Sequence, residues 1–201
     1  MKLYFSPGAC SLSPHIALRE AGVEPELVRV DLATKKLADG GDYLAINSKG
    51  YVPALQLDDG TILTEGPAIL IYIVQNLART PLGPKEGMGL VRLVEWLNFI
   101  STEIHKGFSP LFKPNCPQEW KAVAKETLLK RLQWVDGQLA QRPWLLGEEF
   151  SVADIYLYVC ARWTAFVQID LGQFPALARF VEKMAQRPAV QATIKAEGLK
   201  Q

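Results

Sequence analysis

Apolar and polar residues alternate in short runs over the first eighty positions of this chain and in helical repeats after them. Leu3-Tyr4-Phe5 reads as a strand that Ser6-Pro7-Gly8 ends, and Ile16, Leu18 and Ala21 begin a helical face that reaches Gly22. Glu26 to Asp31 alternates polar and apolar residues, the pattern of a half-buried strand. Positions 32–50 are polar and contain glycine, which predicts a long loop with a short helical turn at 42–46. Ala54-Leu55-Gln56-Leu57 and Thr61-Ile62-Leu63-Thr64 predict two strands joined through Asp58-Asp59-Gly60, because Asp-Gly between apolar runs favours a tight hairpin. Residues 65–78 are apolar on nearly every side, so the spacing predicts a well-buried helix despite their β-branched content.

Pro81, Gly83, Pro84, Gly87 and Gly89 then interrupt every periodicity, which marks a domain boundary. Beyond it only helical patterns occur, at about 88–112, 118–141, 151–168, 174–186 and 188–197. Ser151-Val152-Ala153-Asp154 has the spacing of a capping box, with Phe150 and Ile155 at the staple positions, so a structural role is expected for Asp154. The first strand, helix and second strand form a parallel βαβ unit, whose crossover is right-handed by the usual rule. The expected fold is an α/β domain of βαβ-ββα order, the thioredoxin-like one, over 1–80, a linker at 81–87, and an all-α domain over 88–201.

Composition narrows the range of partners. The 201 residues suffice for one large or two small domains, and such a chain buries roughly 70% of the surface its unfolded form exposes. With 49% hydrophobic and 21% charged residues, a net charge of +1 and no block of Lys or Arg, neither nucleic acid nor a membrane surface is expected as a partner. Cysteines at 10, 116 and 160 are odd in number and widely spaced, which fits neither a disulfide framework nor a zinc signature, so no metal is expected. No apolar run approaches the roughly 20 residues a membrane span needs, and no basic-then-apolar leader opens the sequence, so a cytoplasmic location is expected.

Four places carry candidate chemistry. Cys10 falls where the first turn becomes a helix, where unpaired amides and the helix dipole favour a thiolate; a small buried apolar cysteine is the alternative. Ser13 completes Cys-x-x-Ser, so Cys10 has no second thiol for a local disulfide and can hold a mixed disulfide or face a small thiol. Val52-Pro53 precedes a strand and is either a cis peptide offering the Val52 backbone to an extended peptide or an ordinary trans strand start. Glu65, with the backbone amides at that helix start, matches an ammonium-carboxylate head group, or else complements the helix dipole. In the helix near 88–112, Glu95, Asn98, Thr102, His105 and Ser109 fall within about 80° at the helical repeat, and His105-Lys106 forms a pair of donors. That stripe is either a site or simply the wet face.

Taken together, Ser6-Pro7-Gly8-Ala9-Cys10-Ser11, Val52-Pro53, Thr64-Glu65-Gly66, Trp96-Leu97-Asn98, His105-Lys106-Gly107 and Ser151-Val152-Ala153-Asp154 resemble the cytosolic glutathione transferases, most closely the bacterial beta class. The resemblance spans both halves and implies a glutathione-binding first domain, a helical second domain with a pocket for a hydrophobic electrophile, and a homodimer. It implies glutathione as co-substrate and no prosthetic group. Carried over, Cys10 meets the glutathione sulfur, Val52 pairs with the cysteinyl backbone, and Glu65 with Gly66 holds the γ-glutamyl end. Lys35 and His105 anchor the carboxylate and thiol regions, the backbone of Thr102, Glu103 and Ile104 assists, and Asn98 reaches in from the partner subunit. Cys10, His105 and Ser11 are the catalytic candidates, with Tyr4 as a further rival activator because other classes use Tyr or Ser. Gly66 departs from classes that have Ser at this place. Phe108, Phe112, Trp163 and Phe166 are expected to line the electrophile pocket. The expected activity is conjugation of the glutathione thiolate to aromatic or halogenated electrophiles, with thiol transfer through Cys10 as a variant; a non-catalytic ligand carrier or interaction module is the alternative.

Overall fold

The computed structural model of the chain describes residues 1–200. They form two compact units, Met1–Lys85 joined by the segment that begins at Arg187, and Glu86–Gln186. The first is a mixed sheet with helices. Strand β1 (Lys2–Phe5) lies in the middle of the order β3-β2-β1-β4-β5, parallel to β2 (Glu26–Asp31) and antiparallel to β4 (Ala54–Gln56). Strand β5 (Ile62–Thr64) completes the hairpin with β4. At its turn the Leu57 amide donates to the Thr61 carbonyl, and Gly60 takes a left-handed φ of +88° that a side chain would resist. Leu3, Tyr4 and Phe5 are all buried, as a central strand covered on both faces requires.

Helix α1 (Leu12–Glu20) buries every residue from Leu12 to Leu18. Helix α2 (Gly66–Tyr72) runs on into a π-helical turn, Ile73–Leu77. The loop expected at 32–50 contains a two-residue strand, β3 (Lys36–Leu37), paired with Val30 and Asp31. Two residues show no periodicity of their own; only the edge of β2 makes them a strand. The predicted helical turn is present as a 3₁₀ turn at Tyr43–Ala45.

The second unit is helical: α3 (Gly87–Phe99), a π-helical turn (Ile100–His105), α4 (Lys106–Phe112), α5 (Gln118–Leu139), α6 (Val152–Arg162) and α7 (Pro175–Ala185). Helix α6 buries its residues from Val152 to Ala161, as a helix apolar on all sides must. Its capping box is formed. Ser151 Oγ accepts from the Ala153 amide, while Asp154 Oδ2 accepts from the Ser151 amide at 2.8 Å and Oδ1 from the Leu145 amide at 2.8 Å. Burial pushes the Asp154 carboxyl up to about 6 against the pull of these donors. A displaced carboxyl often marks a site, but these bonds tie Asp154 to the framework. Asp136, also buried, accepts from the Ala176 and Leu177 amides at 2.7 and 2.9 Å and so caps α7.

The expected division differs from the observed one at its C-terminal end. Helix α8 (Pro188–Ala196) packs on α1 and belongs to the first unit. The Arg187 guanidinium grips the Glu20 carboxylate at 2.6 and 3.0 Å, and Glu197 meets His15 at 2.8 Å. Helical periodicity says that α8 exists but not which core it covers. Among the described residues no helix is long and apolar enough to cross a membrane, and no group of three or more His, Cys, Asp or Glu could hold a metal ion.

Replacing Ser151 with Ala removes an acceptor for the first-turn amides of the most buried helix. Urea unfolding is expected to show a loss of about 1–2 kcal/mol with an unchanged denaturant slope.

Candidate active site

The turn between β1 and α1 holds Cys10 half-buried. Local bonds close it: the Ala9 amide donates to the Ser6 carbonyl at 3.1 Å, and the Leu12 amide to the Ala9 carbonyl at 3.0 Å. Ser11 is wholly buried, and its hydroxyl accepts from the Ser6 amide at 3.1 Å and donates to the Ser6 carbonyl at 3.2 Å. That corrects its standing as a catalytic candidate, because the hydroxyl is occupied in shaping the turn. Tyr4 is likewise buried, donates to Gln56 Oε1 at 3.0 Å, and is held above the ordinary tyrosine range by burial, so it offers no phenolate. Ser13 donates to the Cys10 carbonyl at 2.9 Å and supports the turn rather than the sulfur.

The Cys10 thiol donates to the Val52 carbonyl at 3.1 Å, and the Val52-Pro53 peptide is cis. The carbonyl expected to face a ligand is thus bonded to Cys10. The stretch around it is pinned from below: the Tyr43 hydroxyl and the Asn47 side-chain amide both donate to the Tyr51 carbonyl, at 2.7 and 2.8 Å. Lys35, at a left-handed φ of +58°, sends its ammonium to the Gly50 carbonyl at 2.8 Å and lies 5.8 Å from the centre of the Tyr51 ring.

Glu65 stands before α2 with φ +68° and ψ 117°, a region that non-glycine residues rarely occupy. It makes no side-chain capping bond to the helix; its carboxylate holds the Lys49 ammonium at 2.5 Å, with Thr64 Oγ1 at 2.8 Å from the same nitrogen. The carboxylate is therefore already an ammonium acceptor. Beside it, Gly66 has open space where a Cβ would stand. Sequence reasoning missed Lys49, one lysine among several in a polar loop. Its role is visible only once Lys49-Gly50-Tyr51-Val52 is seen to meet Glu65, Lys35 and Cys10 in turn.

In the helical unit, Thr102, Glu103, Ile104 and His105 lie in the π-helical turn. A π turn inserts about one residue into the helical repeat, which rotates everything after it by about 100°. The continuous stripe expected from Glu95 to Ser109 is therefore broken. Asn98 is exposed, Ile104 is fully buried, and Glu103 is paired with Arg131 at 2.7 Å. His105 packs inward instead. Its Nδ1 lies 2.6 Å from the Tyr156 hydroxyl, and its ring meets Trp163 edge-on at 4.9 Å. Burial, helped by the charge on Lys106, lowers its pKa from 6.5 to about 4. At neutral pH His105 is thus an uncharged imidazole whose Nε2 has no hydrogen-bond partner among the described residues. Phe108, Phe112 and Trp163 join it in one aromatic cluster with centroid distances of 5.7–5.8 Å. Phe166 is exposed and makes no ring contact with them. A cavity of about 580 Å³ elsewhere in this unit, walled by Trp96, Phe99 and Trp134, takes Glu95 from the expected stripe but none of the residues expected to hold glutathione.

The family model for the glutathione S-transferase N-terminal domain matches residues 8–75, and that for the C-terminal domain residues 99–188. The chain is 48% identical to the glutathione S-transferase GstA of Escherichia coli O157:H7 over 201 residues, all of both chains. It superimposes on a sphingomonad glutathione S-transferase complexed with glutathione with a TM-score of 0.96 at 52% identity, covering 100% of each. The bacterial beta class glutathione S-transferase of Sphingomonas chungbukensis gives 0.96 at 48%, again covering 100% of each.

The depressed His105 pKa has a thermodynamic consequence. Between pH 6.5 and about 4 the unfolded chain takes up a proton that the folded chain refuses, so this contribution is present above pH 6.5 and lost as pH falls toward 4. It amounts to up to about 3 kcal/mol. Urea unfolding at pH 7.5 and 4.5 is expected to show the wild type losing more stability than His105→Gln. Equal losses in the two proteins would contradict a neutral, proton-refusing imidazole.

Proposed function

The chain belongs to the glutathione S-transferase family and is a transferase with glutathione as co-substrate, and from that premise we propose how its residues share the work. Glutathione lies along Lys49–Val52, with its γ-glutamyl end at Glu65 and Gly66, its cysteinyl backbone at Val52, its glycine carboxylate at Lys35 and its sulfur at Cys10. The observation that carries this reading is the ammonium already held by Glu65, on the stretch of chain that also meets Lys35 and Cys10. A γ-glutamyl ammonium is the same chemical group as the Lys49 head. It takes over the Glu65 carboxylate at the cost of an exposed ion pair worth at most about 1 kcal/mol.

The reaction is conjugation. Donors around the bound sulfur favour its thiolate, which attacks the electron-poor carbon of an aromatic or halogenated electrophile and expels the leaving group, with proximity supplying much of the rate. His105, neutral and with Nε2 available, serves as a polar group of the helical unit together with the 102–104 backbone. Phe108, Phe112 and Trp163 supply apolar surface for the electrophile. Cys10 also supports thiol transfer: its thiolate attacks a glutathionyl disulfide and expels the other thiol, and a glutathione thiolate then cleaves the mixed disulfide, releasing glutathione disulfide and regenerating Cys10. No neighbouring cysteine competes, because position 13 is Ser. The active form is a cytoplasmic homodimer to which Asn98 of each subunit contributes.

Retention on immobilised glutathione followed by turnover of a chloronitrobenzene tests the reading against that of a ligand carrier. Retention with turnover is expected; retention without turnover would favour a carrier. Glu65→Ala is expected to weaken glutathione binding about tenfold by calorimetry, the loss of one charge-assisted contact, with the melting temperature nearly unchanged. Cys10→Ala is expected to abolish disulfide exchange while keeping part of the conjugation rate, and undiminished exchange would rule out the mixed-disulfide route.

A further inference from the structure

The turn that carries Cys10 is held from outside as well as by its own bonds. The Gly8 amide donates to Glu197 Oε2 at 3.0 Å, across 189 positions of sequence. The other oxygen, Oε1, accepts from His15 Nδ1 at 2.8 Å, and neither the His15 nor the Glu197 side chain has any exposure. On the far side of the imidazole, Arg19 Nε donates to Nε2 at 3.4 Å. Accepting there requires a lone pair on Nε2, which leaves the ring proton on Nδ1, aimed at Glu197. Arg19, His15, Glu197 and Gly8 thus form one directional chain of donors and acceptors. Its last link is a backbone amide two residues before Cys10.

Burying a carboxylate is costly unless all its contacts are good ones. Here the carboxylate spans the two supports of the thiol, the Gly8 turn on one side and the first helical turns on the other. Leu199, two residues on, closes over Gly8: a Cβ built there would stand 3.4 Å from its Cδ2, and Gly8 takes a left-handed φ of +72°. The second clamp on the same C-terminal segment, Arg187 on Glu20, grips the far end of α1. The two clamps therefore have separable effects.

We infer that Glu197 is a positioning residue for Cys10: its buried carboxylate ties the Gly8 amide to His15 and so fixes the thiol that lies between them. The inference rests on the proposed role of Cys10 at the glutathione sulfur. A displacement on the ångström scale at a reacting group can cost up to about a hundredfold in rate, so a clamp on this turn acts on chemistry as well as on stability.

The test compares the full-length wild type with Glu197→Ala, Glu197→Gln and Glu20→Gln. Melting temperature, kcat and KM for glutathione with a chloronitrobenzene, and the rate of Cys10 alkylation by iodoacetamide are measured, the last by peptide mass mapping with and without glutathione. Glu20→Gln is expected to lower the melting temperature while kcat and Cys10 alkylation stay at wild-type values. Glu197→Ala is expected to change the alkylation rate about fivefold and to lower kcat about tenfold, with Glu197→Gln, which keeps the shape and one acceptor, between the two. Alkylation and kcat that follow melting temperature alike in the Glu20 and Glu197 variants, or that do not move in the Glu197 variants, overturn the inference. Should Glu197→Ala fail to fold, Glu197→Gln decides: wild-type kcat and alkylation overturn it and a shift in both supports it. Glutathione is expected to slow wild-type alkylation. Lack of that protection would instead overturn the role proposed for Cys10, whereas the alkylation rates without glutathione would still decide the clamp.

Discussion

Hydrogen bonding on both edges of β1 is the constraint from which the candidate site follows. Leu3 is registered with Leu27 on one side and Leu55 on the other, and Tyr4 stands opposite Ala54. Once that register is set, the chain leaving Phe5 and the chain entering Ala54 emerge side by side, because antiparallel partners end at the same edge of a sheet. The turn with Cys10 and the segment with Val52 are two of the connections at that edge, where β2 and β5 also end. A slip of one residue would turn the buried side chains of β1 to the opposite faces, so the packing of Leu3, Tyr4 and Phe5 also protects the meeting of Cys10 with Val52.

Buried charge is handled by one device throughout. Asp154, Asp136 and Glu197 each turn their carboxylate oxygens toward backbone amides, Glu197 sharing its own between an amide and an imidazole. Such bonds compensate desolvation and are directional, so each carboxylate fixes where a turn or a helix begins. In α6 and α7 the thing fixed is a helix start; at Glu197 it is the turn that carries a thiol. The same interaction serves framework and chemistry, depending on which amide receives it.

His105 shows the opposite arrangement. Among the described residues it has no carboxylate partner, and the half-buried imidazole stays neutral because desolvation, and after it the charge on Lys106, disfavours a second proton there. The π turn sets this environment by rotating the end of the helix toward Tyr156 and Trp163.

Much of the fold was legible in the amino-acid order because it rests on local chemistry. Period-two and helical repeats marked β1, β2, the Asp-Gly hairpin and seven helical segments, one of which, 88–112, the π turn divides into α3 and α4, and the Ser151 cap could be read from four residues, since a cap is built within one turn. Cys10, Val52-Pro53, Glu65 and His105 stood out as candidates because residue type and position relative to a helix or strand suffice to suggest reactivity. Tertiary structure decided what each of them faces. The Ser11 hydroxyl is occupied by Ser6, the Glu65 carboxylate by Lys49, the His105 imidazole by Tyr156, and a carboxylate 182 positions beyond His15 reaches back to it. Periodicity reports which side of an element is apolar, whereas a polar side chain's partner and protonation depend on desolvation and on neighbours that distant parts of the chain supply. Only the folded chain brings those together.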